Sequence, residues 1–425
     1  MTRILFTTNA MSGHVRPTVP MVRELVAAGH DVVWYTGSDF ESVVHTAGAK
    51  FVPIRAKLDT GDLGRHGSRR AGFRGLSALV LAHFLRPIPA YVEDLDPLFD
   101  QFDPEVVVAD HSFRAGLFLA ERRGVPRVAF SVGPLNLSSV DTAPFGLGKQ
   151  PPANVAQRLR NRIQYWLMEH VYCREAQQVA ARIRADMGLR PLRGFFIDWA
   201  AQVADHYLQT GIPHLEYPRR DLPASVVFVG PLLPAGADEW TPPTWWPELA
   251  EARAAGRPVV FVTQGTVATD PANLLLPTIT ALAGMDVLQI VTTSGRSVAD
   301  VLGGADVPAN LRTADFIPYT EILPLADLMV TNGGYGGVQL AVTYGVPLVV
   351  SGTTEDKQEV NARVAWSGLG VSLHTDAPTS AEVAAAVRRV LTGPGYRATA
   401  ATMRAAGADY PGVAKAVDAI LAAII

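Results

Sequence analysis

The sequence has very few of the residues that build disulfides and cysteine-based metal centres. Cys173 is its only cysteine, so no disulfide and no multi-cysteine metal site can form within these 425 residues. No apolar run approaches the roughly 18 residues needed to cross a bilayer. No basic leader with a long apolar core precedes Ile4-Leu5-Phe6, which is typical of a strand. We therefore expect a cytoplasmic protein.

Charged side chains are also scarce, and neither sign dominates. They make up 18% of the chain, with a formal net charge of −3. This balance gives no reason to expect nucleic acid or an anionic membrane as a partner, and we predict no stable membrane insertion. The 10 histidines are scattered without the spacing of a zinc site, so we predict no bound metal. Asp94 and Asp96 lie in a segment typical of a helix and are interpreted as surface charge.

The chain alternates short apolar runs with helical segments, a pattern that predicts the α/β class with parallel sheets. In the first half, strands are predicted at Thr2–Thr8, Asp31–Thr36, Val106–Ala109 and Val128–Ser131. In the second half, strands are predicted at Val259–Thr263, Val287–Thr292, Leu328–Thr331 and Leu348–Ser351.

A proline-rich stretch at residues 217–247 separates the two halves. Its prolines disfavour both a helix and a central strand, so we interpret it as an interdomain linker. The predicted N-terminal domain covers residues 1–216 and the C-terminal domain residues 248–405. A last helical segment, within residues 406–425, is a candidate to pack back on the N-terminal domain. The predicted architecture is two facing Rossmann-like domains with a cleft between them.

A glycine-rich turn, Asn332-Gly333-Gly334-Tyr335-Gly336-Gly337, follows one of the predicted strands and precedes a helical segment. The free backbone N–H groups and the dipole at such a helix start favour an anion. Glycines also let a phosphate approach the main chain without a clash with Cβ atoms. The turn is therefore a candidate diphosphate cradle, and a plain tight turn in an α/β sheet is the alternative.

Two polar residues, His14 and Asp110, follow predicted strands in the first half. The carboxyl ends of parallel strands are where such sheets place functional groups. A neutral imidazole there can take a proton from a hydroxyl, and a carboxylate can orient it and stabilise its charged form. The alternatives are a turn histidine and an aspartate that caps a helix.

Polar residues also follow the predicted strand Leu348–Ser351, at Glu355, Asp356 and Lys357. Paired carboxylates at the end of a strand suit hydrogen bonds to sugar hydroxyls, and a solvated loop is the alternative.

Two segments interrupt the alternation, residues 55–90 and residues 134–200. We expect both to lie above the carboxyl ends of the strands, where ligands of such sheets bind. Their aromatic side chains are candidates for an apolar pocket, with helix packing as the alternative. The candidates are Phe73, Phe84, Trp166, Phe195 and Trp199.

Several motifs along nearly the whole chain resemble those of one family. They are Gly13-His14-Val15-x-Pro17, Ala28-Gly29-His30-Asp31-Val32, Val107-Val108-Ala109-Asp110, Phe228-Val229-Gly230-Pro231, Phe316-Ile317-Pro318, Leu323-Pro324-x-Ala326-Asp327, Asn332–Pro347, and Asp356 with Asn361-Ala362-Arg363-Val364. With them the chain resembles the bacterial family-1 glycosyltransferases (UDP-glycosyltransferase superfamily, macrolide type), whose fold is GT-B.

This resemblance implies a role for each matching position. His14 would be the base that deprotonates the acceptor hydroxyl, and Asp110 its carboxylate partner. The donor nucleotide sugar would be bound by Gly265, Thr266, Ile317, Asn332, Gly333, Gly334, Gly336, Gly337, Gln339, Glu355, Asp356 and Lys357. The implied reaction inverts the anomeric carbon and requires neither cofactor nor metal, because N–H dipoles meet the charge of the leaving diphosphate.

The donor motif departs from the family pattern at four positions. Asn332 replaces a phosphate-contacting histidine, and Gly337 replaces a threonine or serine. Leu340 replaces a ribose-binding glutamate, for which the adjacent Gln339 is a candidate substitute. Lys357 replaces a glutamine and is a candidate to compensate for the missing histidine.

The expected function is transfer of a hexose from UDP-glucose, or next a dTDP-sugar, to a hydroxyl of an apolar small molecule such as a polyketide, macrolide or polyphenol. The aromatic insertions would then bind the acceptor. The departures in the donor motif leave open a non-catalytic helper or binding protein, although the intact His14–Asp110 pair argues against it. A nucleotide-sugar epimerase of the same fold is a third hypothesis, which the acceptor-side motifs disfavour. We expect a monomer or a homodimer.

Overall fold

The protein is built from two parallel sheets, each surrounded by helices. A computed structural model of the chain describes residues 1–55, 77–233, 240–265 and 270–424. Strands β1 to β7 span Arg3–Thr7, Asp31–Thr36, Lys50–Pro53, Val106–Asp110, Arg127–Ser131, His206–Thr210 and Val226–Gly230. Strands β8 to β13 span Val259–Thr263, Leu288–Thr292, Leu311–Ala314, Leu328–Thr331, Leu348–Val350 and Gly370–Ser372.

Helices connect these strands. In the N-terminal half, α1 to α8 span Ser12–Val15, Val19–Ala27, Glu41–Thr46, Ile88–Phe102, Arg114–Arg123, Val155–Leu167, Arg174–Asp186 and Trp199–Val203. In the C-terminal half, α9 to α17 span Glu248–Ala254, Leu275–Leu282, Val298–Leu302, Tyr319–Ile322, Tyr335–Tyr344, Lys357–Trp366, Ser380–Thr392, Pro394–Gly407 and Val413–Ala422. Two π-helical turns span Val80–Leu85 and Met168–Tyr172.

Both sheets are doubly wound. The first has the strand order β3-β2-β1-β4-β5-β6-β7, and the second β10-β9-β8-β11-β12-β13. The strand order therefore reverses beside β1 in the first sheet and beside β8 in the second. Ligands of open α/β sheets bind at such reversals, outside the carboxyl ends of the strands. The two-domain α/β fold class predicted from the sequence is confirmed.

The core follows the two-residue period of the strands. In β8, Val259 and Phe261 pack on one face of the second sheet, while Val260 and Val262 pack on the other. All four side chains are fully buried. Because helices cover both faces, the strand is continuously apolar, and such strands are the ones that the sequence pattern predicts best.

The predicted linker is wrong in part, because it contains a strand of the first sheet. Val226–Gly230 forms β7 and pairs in parallel with β6. The prolines flank this strand at Pro223 and Pro231 and do not fall within it. A strand at the edge of a sheet tolerates such neighbours, so the N-terminal sheet extends to Gly230.

The chain passes between the domains at two adjacent places. After Gly407 it returns to the first domain, where Ala416 and Ile420 of α17 join the core. The N–H of Gly412 donates to the carbonyl of Val229 at 2.8 Å. Gly412 has a φ of +60°, and a Cβ there would overlap the carbonyl oxygen of Pro231. The two crossing segments therefore touch backbone to backbone.

Candidate active site

The structure brings His14 and Asp110 together at the carboxyl ends of the strands of the first sheet. β1 and β4 are neighbours, with Thr7 opposite Ala109, so Asp110 at the end of β4 lies close to the segment that follows β1. Nδ1 of His14 lies 2.5 Å from Oδ2 of Asp110. The aspartate side chain is buried, and the imidazole is 21% exposed. The carboxylate can therefore orient a ring that solvent or a ligand still reaches.

Besides His14, several backbone and side-chain groups contact the carboxylate of Asp110. Oδ1 accepts hydrogen bonds from the N–H of Ser112 at 2.9 Å and from its hydroxyl at 2.7 Å. Oδ2 accepts one from Nδ2 of Asn9 at 3.4 Å, and Nδ1 of His111 lies 3.4 Å from Oδ1. Burial alone would raise the pKa of Asp110, but His14 and His111 outweigh it and hold that pKa well below its usual value.

An ionised carboxylate beside Nδ1 of His14 determines which ring nitrogen is basic. It favours the tautomer with the proton on Nδ1, which leaves Nε2 as the nitrogen that can accept a proton. Sequence reasoning missed Asn9, His111 and Ser112, although each lies directly beyond a strand end in this sheet.

The glycine-rich turn lies at the matching edge of the second sheet, between β11 and α13. Gly333 has a φ of +83°, and a Cβ there would overlap Oδ1 of Asn361. Gly336 is exposed and Gly337 half-buried in the first turn of the helix, which contains no acidic side chain. The N-terminus of α13 therefore presents backbone N–H groups and a positive dipole without a competing carboxylate of its own.

Asn332 shapes this turn from within. Its Nδ2 donates to the carbonyl of Gln264 at 2.5 Å, and its Oδ1 accepts the N–H of Gly334 at 3.3 Å. A Cβ on Gly265, which has a φ of +75°, would lie 3.2 Å from the same Nδ2. The side-chain amide of Asn332 thus links the turn after β8 to the turn after β11. Both its nitrogen and its oxygen form hydrogen bonds with the backbone. Thr266, also predicted for the donor site, lies outside the described residues.

The assignment of Gln339 to the donor site requires correction. Its side chain is buried one helical turn beyond Tyr335, on the face of α13 that meets the N-terminal domain. A Cβ on Gly211 would lie 2.7 Å from the Gln339 amide and from the Tyr335 hydroxyl. Helical spacing puts Leu340 on the other face, with Gly336 and Gly337. Gln339 therefore belongs to the domain junction.

The turn after β10 carries an aromatic residue that sequence reasoning passed over. Ile317 is buried, with 1% of its surface exposed, so only its backbone can face a ligand. The preceding Phe316 is 65% exposed. Exposed large aromatic side chains beside a candidate site offer a flat stacking surface, and this residue type was a signal available in the sequence.

The segment after β12 faces the first domain. Oδ2 of Asp356 lies 3.7 Å from the position that a Cβ on Gly133 would occupy. Burial raises the pKa of Asp356, whereas Lys357 and His14 act to lower it. Nζ of the buried Lys357 pairs with the carboxylate of Glu355, an exposed residue with a φ of +57°. Asp356 therefore lies where the segment after β12 meets the first domain.

The aromatic candidates fall into different environments. Phe195 and Trp199 are buried in the N-terminal core, where they cannot face a ligand, and this corrects their assignment to a pocket. Trp166 is 56% exposed and stacks on His170 along the outer surface of α6 and the turn after it. Phe84 is half-buried, and Phe73 lies outside the described residues.

The surface interpretation of the Asp94–Asp96 pair is also wrong in part. Oδ2 of Asp94 accepts the hydroxyl of Tyr35 at 2.7 Å, and Oδ1 pairs with Arg55 at 2.5 Å. The Asp94 side chain is only 9% exposed. Asp96, by contrast, pairs with Arg122 at the surface.

In the part of the chain that the structure describes, no group of three or more His, Cys, Asp and Glu is placed to hold a metal. Within the same residues, no helix combines the length and apolarity needed to cross a membrane.

Comparisons with known proteins fit this geometry. Residues 277–423 match the family model described as "Erythromycin biosynthesis protein CIII-like, C-terminal domain". The chain is 41% identical to 4'-demethylrebeccamycin synthase of Lentzea aerocolonigenes, over 98% of each protein. The chain belongs to the bacterial family-1 glycosyltransferases. The resemblance read from the sequence motifs is therefore confirmed.

Two further likenesses concern this glycosyltransferase as a whole. It is 32% identical to UDP-glycosyltransferase 2 of Phaeomoniella chlamydospora, over 91% of this chain and 88% of that protein. The crystal structure of CalG4, the calicheamicin glycosyltransferase, matches with a TM-score of 0.75 and 22% identity over 100% of this chain and 98% of that one. The second likeness concerns the fold, which is GT-B. The protein is an enzyme, a glycosyltransferase of the type that tailors natural products.

Proposed function

We propose that the enzyme transfers a hexose from a nucleoside-diphosphate sugar to a hydroxyl of an apolar small molecule, with inversion at the anomeric carbon. UDP-glucose is the first candidate donor and a dTDP-sugar the second. The acceptor class is a polyketide, macrolide or polyphenol. One observation supports this most directly: the His14–Asp110 pair lies at the carboxyl end of the first sheet, and Asp356, beside the glycine-rich turn of the second, lies 3.7 Å from the position of a Cβ on Gly133 of the first domain.

In this proposal, Nε2 of His14 takes the proton of the acceptor hydroxyl as its oxygen attacks the anomeric carbon. The new carbon–oxygen bond forms on the face opposite the diphosphate, whose bond to carbon breaks with the electron pair leaving on oxygen. A single displacement of this kind inverts the configuration. Asp110 stabilises the imidazolium that forms, because it remains a carboxylate at neutral pH.

The leaving diphosphate would be met by the N-terminus of α13, with the exposed Gly336 closest to solvent. Preorganised N–H dipoles stabilise developing negative charge, so the proposed mechanism requires no metal ion. The exposed ring of Phe316 would stack on the base, and the backbone of Ile317 would pair with its edge.

A ligand screen tests the donor assignment. Ligands that bind the folded state raise its stability, so melting temperatures are compared with UDP, dTDP and GDP at equal concentration. We expect the largest increase with UDP, a smaller one with dTDP and none with GDP. Release of UDP from UDP-glucose in the presence of polyphenol and macrolide acceptors then tests transfer. The anomeric proton coupling of the product should show a β-glucoside, and an α-glucoside would contradict inversion.

Replacing Asp356 with asparagine is expected to raise the donor KM about tenfold, because a hydrogen bond to a charged group contributes about 1.5–3 kcal/mol. Since burial raises its pKa, Asp356 takes up a proton at a higher pH than an ordinary aspartate. In the wild type, the donor KM should therefore rise as the pH falls through that raised pKa. The steady-state donor KM measured across acidic pH should lose this rise in Asp356→Asn.

The control for Asp356→Asn is Asp286→Asn. Asp286 is exposed and lies just before β9, at the amino edge of the second sheet and thus away from the donor site. We expect this variant to keep both the wild-type KM and its pH dependence. An Asp356→Asn enzyme with an unchanged donor KM would remove Asp356 from sugar binding.

A further inference from the structure

Helix α14 of the C-terminal domain begins beside the donor site, and its side chains contact the other domain. It begins directly after Asp356 and carries Glu359 and Arg363 one turn apart. Both side chains are buried, with 4% and 1% of their surfaces exposed. Charged side chains are rarely buried to this degree unless they are paired, so their partners indicate what the helix does.

The partner of Arg363 belongs to the N-terminal half of the chain. Nε donates to Oε2 of Glu216 at 2.8 Å, and Nη1 donates to Oε2 of Glu359 at 2.9 Å. The guanidinium also lies 4.5 Å from the ring centroid of Tyr217. Burial alone would lower the pKa of Arg363, but Glu216 and Glu359 outweigh it and raise that pKa. The arginine is therefore charged, with a carboxylate on each side.

The other carboxylate oxygen of each glutamate, Oε1, accepts hydrogen bonds from one loop of the N-terminal domain. Oε1 of Glu359 accepts the N–H groups of Gly146 and Gly148, each at 2.8 Å. Two backbone N–H groups converging on one carboxylate form a compact anion-binding turn. Oε1 of Glu216 accepts the N–H of Leu135 at 2.9 Å. The carbonyl of Leu135 accepts Nη2 of Arg363 at 3.1 Å.

The held loop also contains Gly133, which is the residue that faces Asp356. The loop starts after β5 ends at Ser131, and it is held at Leu135 and at the 146–148 turn. At Gly148, a Cβ would lie 3.0 Å from the carbonyl oxygen of Gln358, and the φ of +56° also disfavours other residues. The loop and α14 are therefore packed main chain against main chain.

We propose that Glu216, Glu359 and Arg363 form an interdomain latch whose task is to position Asp356 opposite His14 for the reaction. These three side chains, called the latch below, are positioning residues, because they act through the loop and through α14. The effect on turnover rests on the proposed function of Asp356 and His14. The effect on the domain arrangement rests on the latch contacts alone.

Glu359→Gln tests the latch with little change of shape. A glutamine oxygen can still accept the two glycine N–H groups, but its NH2 then faces the Nη1 donor of Arg363. We expect faster hydrogen exchange at Gly146 and Gly148, and a larger radius of gyration by solution X-ray scattering. We also expect kcat to fall about tenfold or more, since small misplacements of reacting groups have effects of this size. The affinity for UDP should not change, because the glycine-rich turn lies wholly in the C-terminal domain.

Glu248→Gln is the matched control. Glu248 pairs with Arg312 at 2.6 Å in a partly exposed contact within the C-terminal domain. Its loss should leave kcat, the radius of gyration and glycine exchange at wild-type values. Gly148→Ala is the second variant if Glu359→Gln fails to fold. It keeps every charge, and it should reproduce the lower kcat and the larger radius.

Two outcomes would overturn the inference. One is an unchanged kcat in variants whose loop exchanges faster, which would show that the latch does not position the reacting groups. The other is a parallel loss of kcat, UDP affinity and melting temperature without domain opening, which would indicate a purely structural ion pair. If wild-type enzyme transfers no sugar, the proposed function fails, and exchange with scattering still decides whether the latch holds the domains.

Discussion

Replacing His14 with alanine is expected to lower kcat/KM by about 10²-fold or more, the range of general base catalysis. The reason is the 2.5 Å contact between Nδ1 of His14 and a buried, ionised Asp110, which leaves Nε2 as the basic nitrogen. Alanine removes the proton acceptor and leaves the donor site in the other domain intact. Nucleotide release with a phenolic acceptor, measured as the donor concentration is varied, should therefore show a lower kcat with an unchanged donor KM.

The partner of His14 supplies the control for that experiment. Groups that act as one unit give strongly non-additive losses, so Asp110→Asn added to His14→Ala should cost little more than His14→Ala alone. Multiplicative losses in the double variant would show that Asp110 acts separately from the imidazole. Equal rates in the wild type and His14→Ala would remove the histidine from the mechanism.

Gly333→Ala is expected to give the largest loss of stability among single substitutions in the glycine-rich turn. The φ of +83° alone costs a non-glycine residue about 1–3 kcal/mol. The added methyl would also overlap Oδ1 of Asn361, whose Nδ2 is bonded to the carbonyl of Gly352 at 2.9 Å. We expect a lower melting temperature and a smaller stabilisation by UDP, both measurable by thermal denaturation.

Gly336→Ala is the matched control for stability. Gly336 lies in the first turn of α13, and a Cβ there would have no atom within 4 Å. Alanine is favoured over glycine in a helix by about 1 kcal/mol, so the melting temperature should stay or rise. If both variants lost the same stability, the left-handed conformation of Gly333 would not be the cause.

The parts of the fold that the sequence predicted are those buried on both faces. β8 and β11 are continuous apolar runs, and both were found where predicted. Three of the strands that were missed are β6, β7 and β13, with sequences HYLQT, VVFVG and GVS. β6 carries polar side chains, prolines flank β7, and β13 has only 3 residues at a sheet edge. Periodicity has too few positions, or the wrong residue types, to identify them.

The candidate site was predictable at the carboxyl ends of the strands. His14, Asp110 and the turn at Gly333 needed only the knowledge that strand ends meet at one edge. Gln339 was misplaced because one step along a helix turns a side chain by about 100°, which carried it to the buried face. The latch was not predictable, because Glu216 and Arg363 are 147 positions apart and belong to different domains.

Because the chain passes between the domains twice at one place, beside Gly230 and Gly412, the two halves share a single pivot. Any rotation of one domain against the other would therefore turn about this place. A bulkier residue at Gly412 would overlap the carbonyl oxygen of Pro231 and so act on the angle between the domains, whereas a change in the latch would alter how firmly the domains are held together. Two separate changes are therefore available for engineering the acceptor range of this enzyme. One alters the angle between the domains, and the other alters how long the domains stay at that angle.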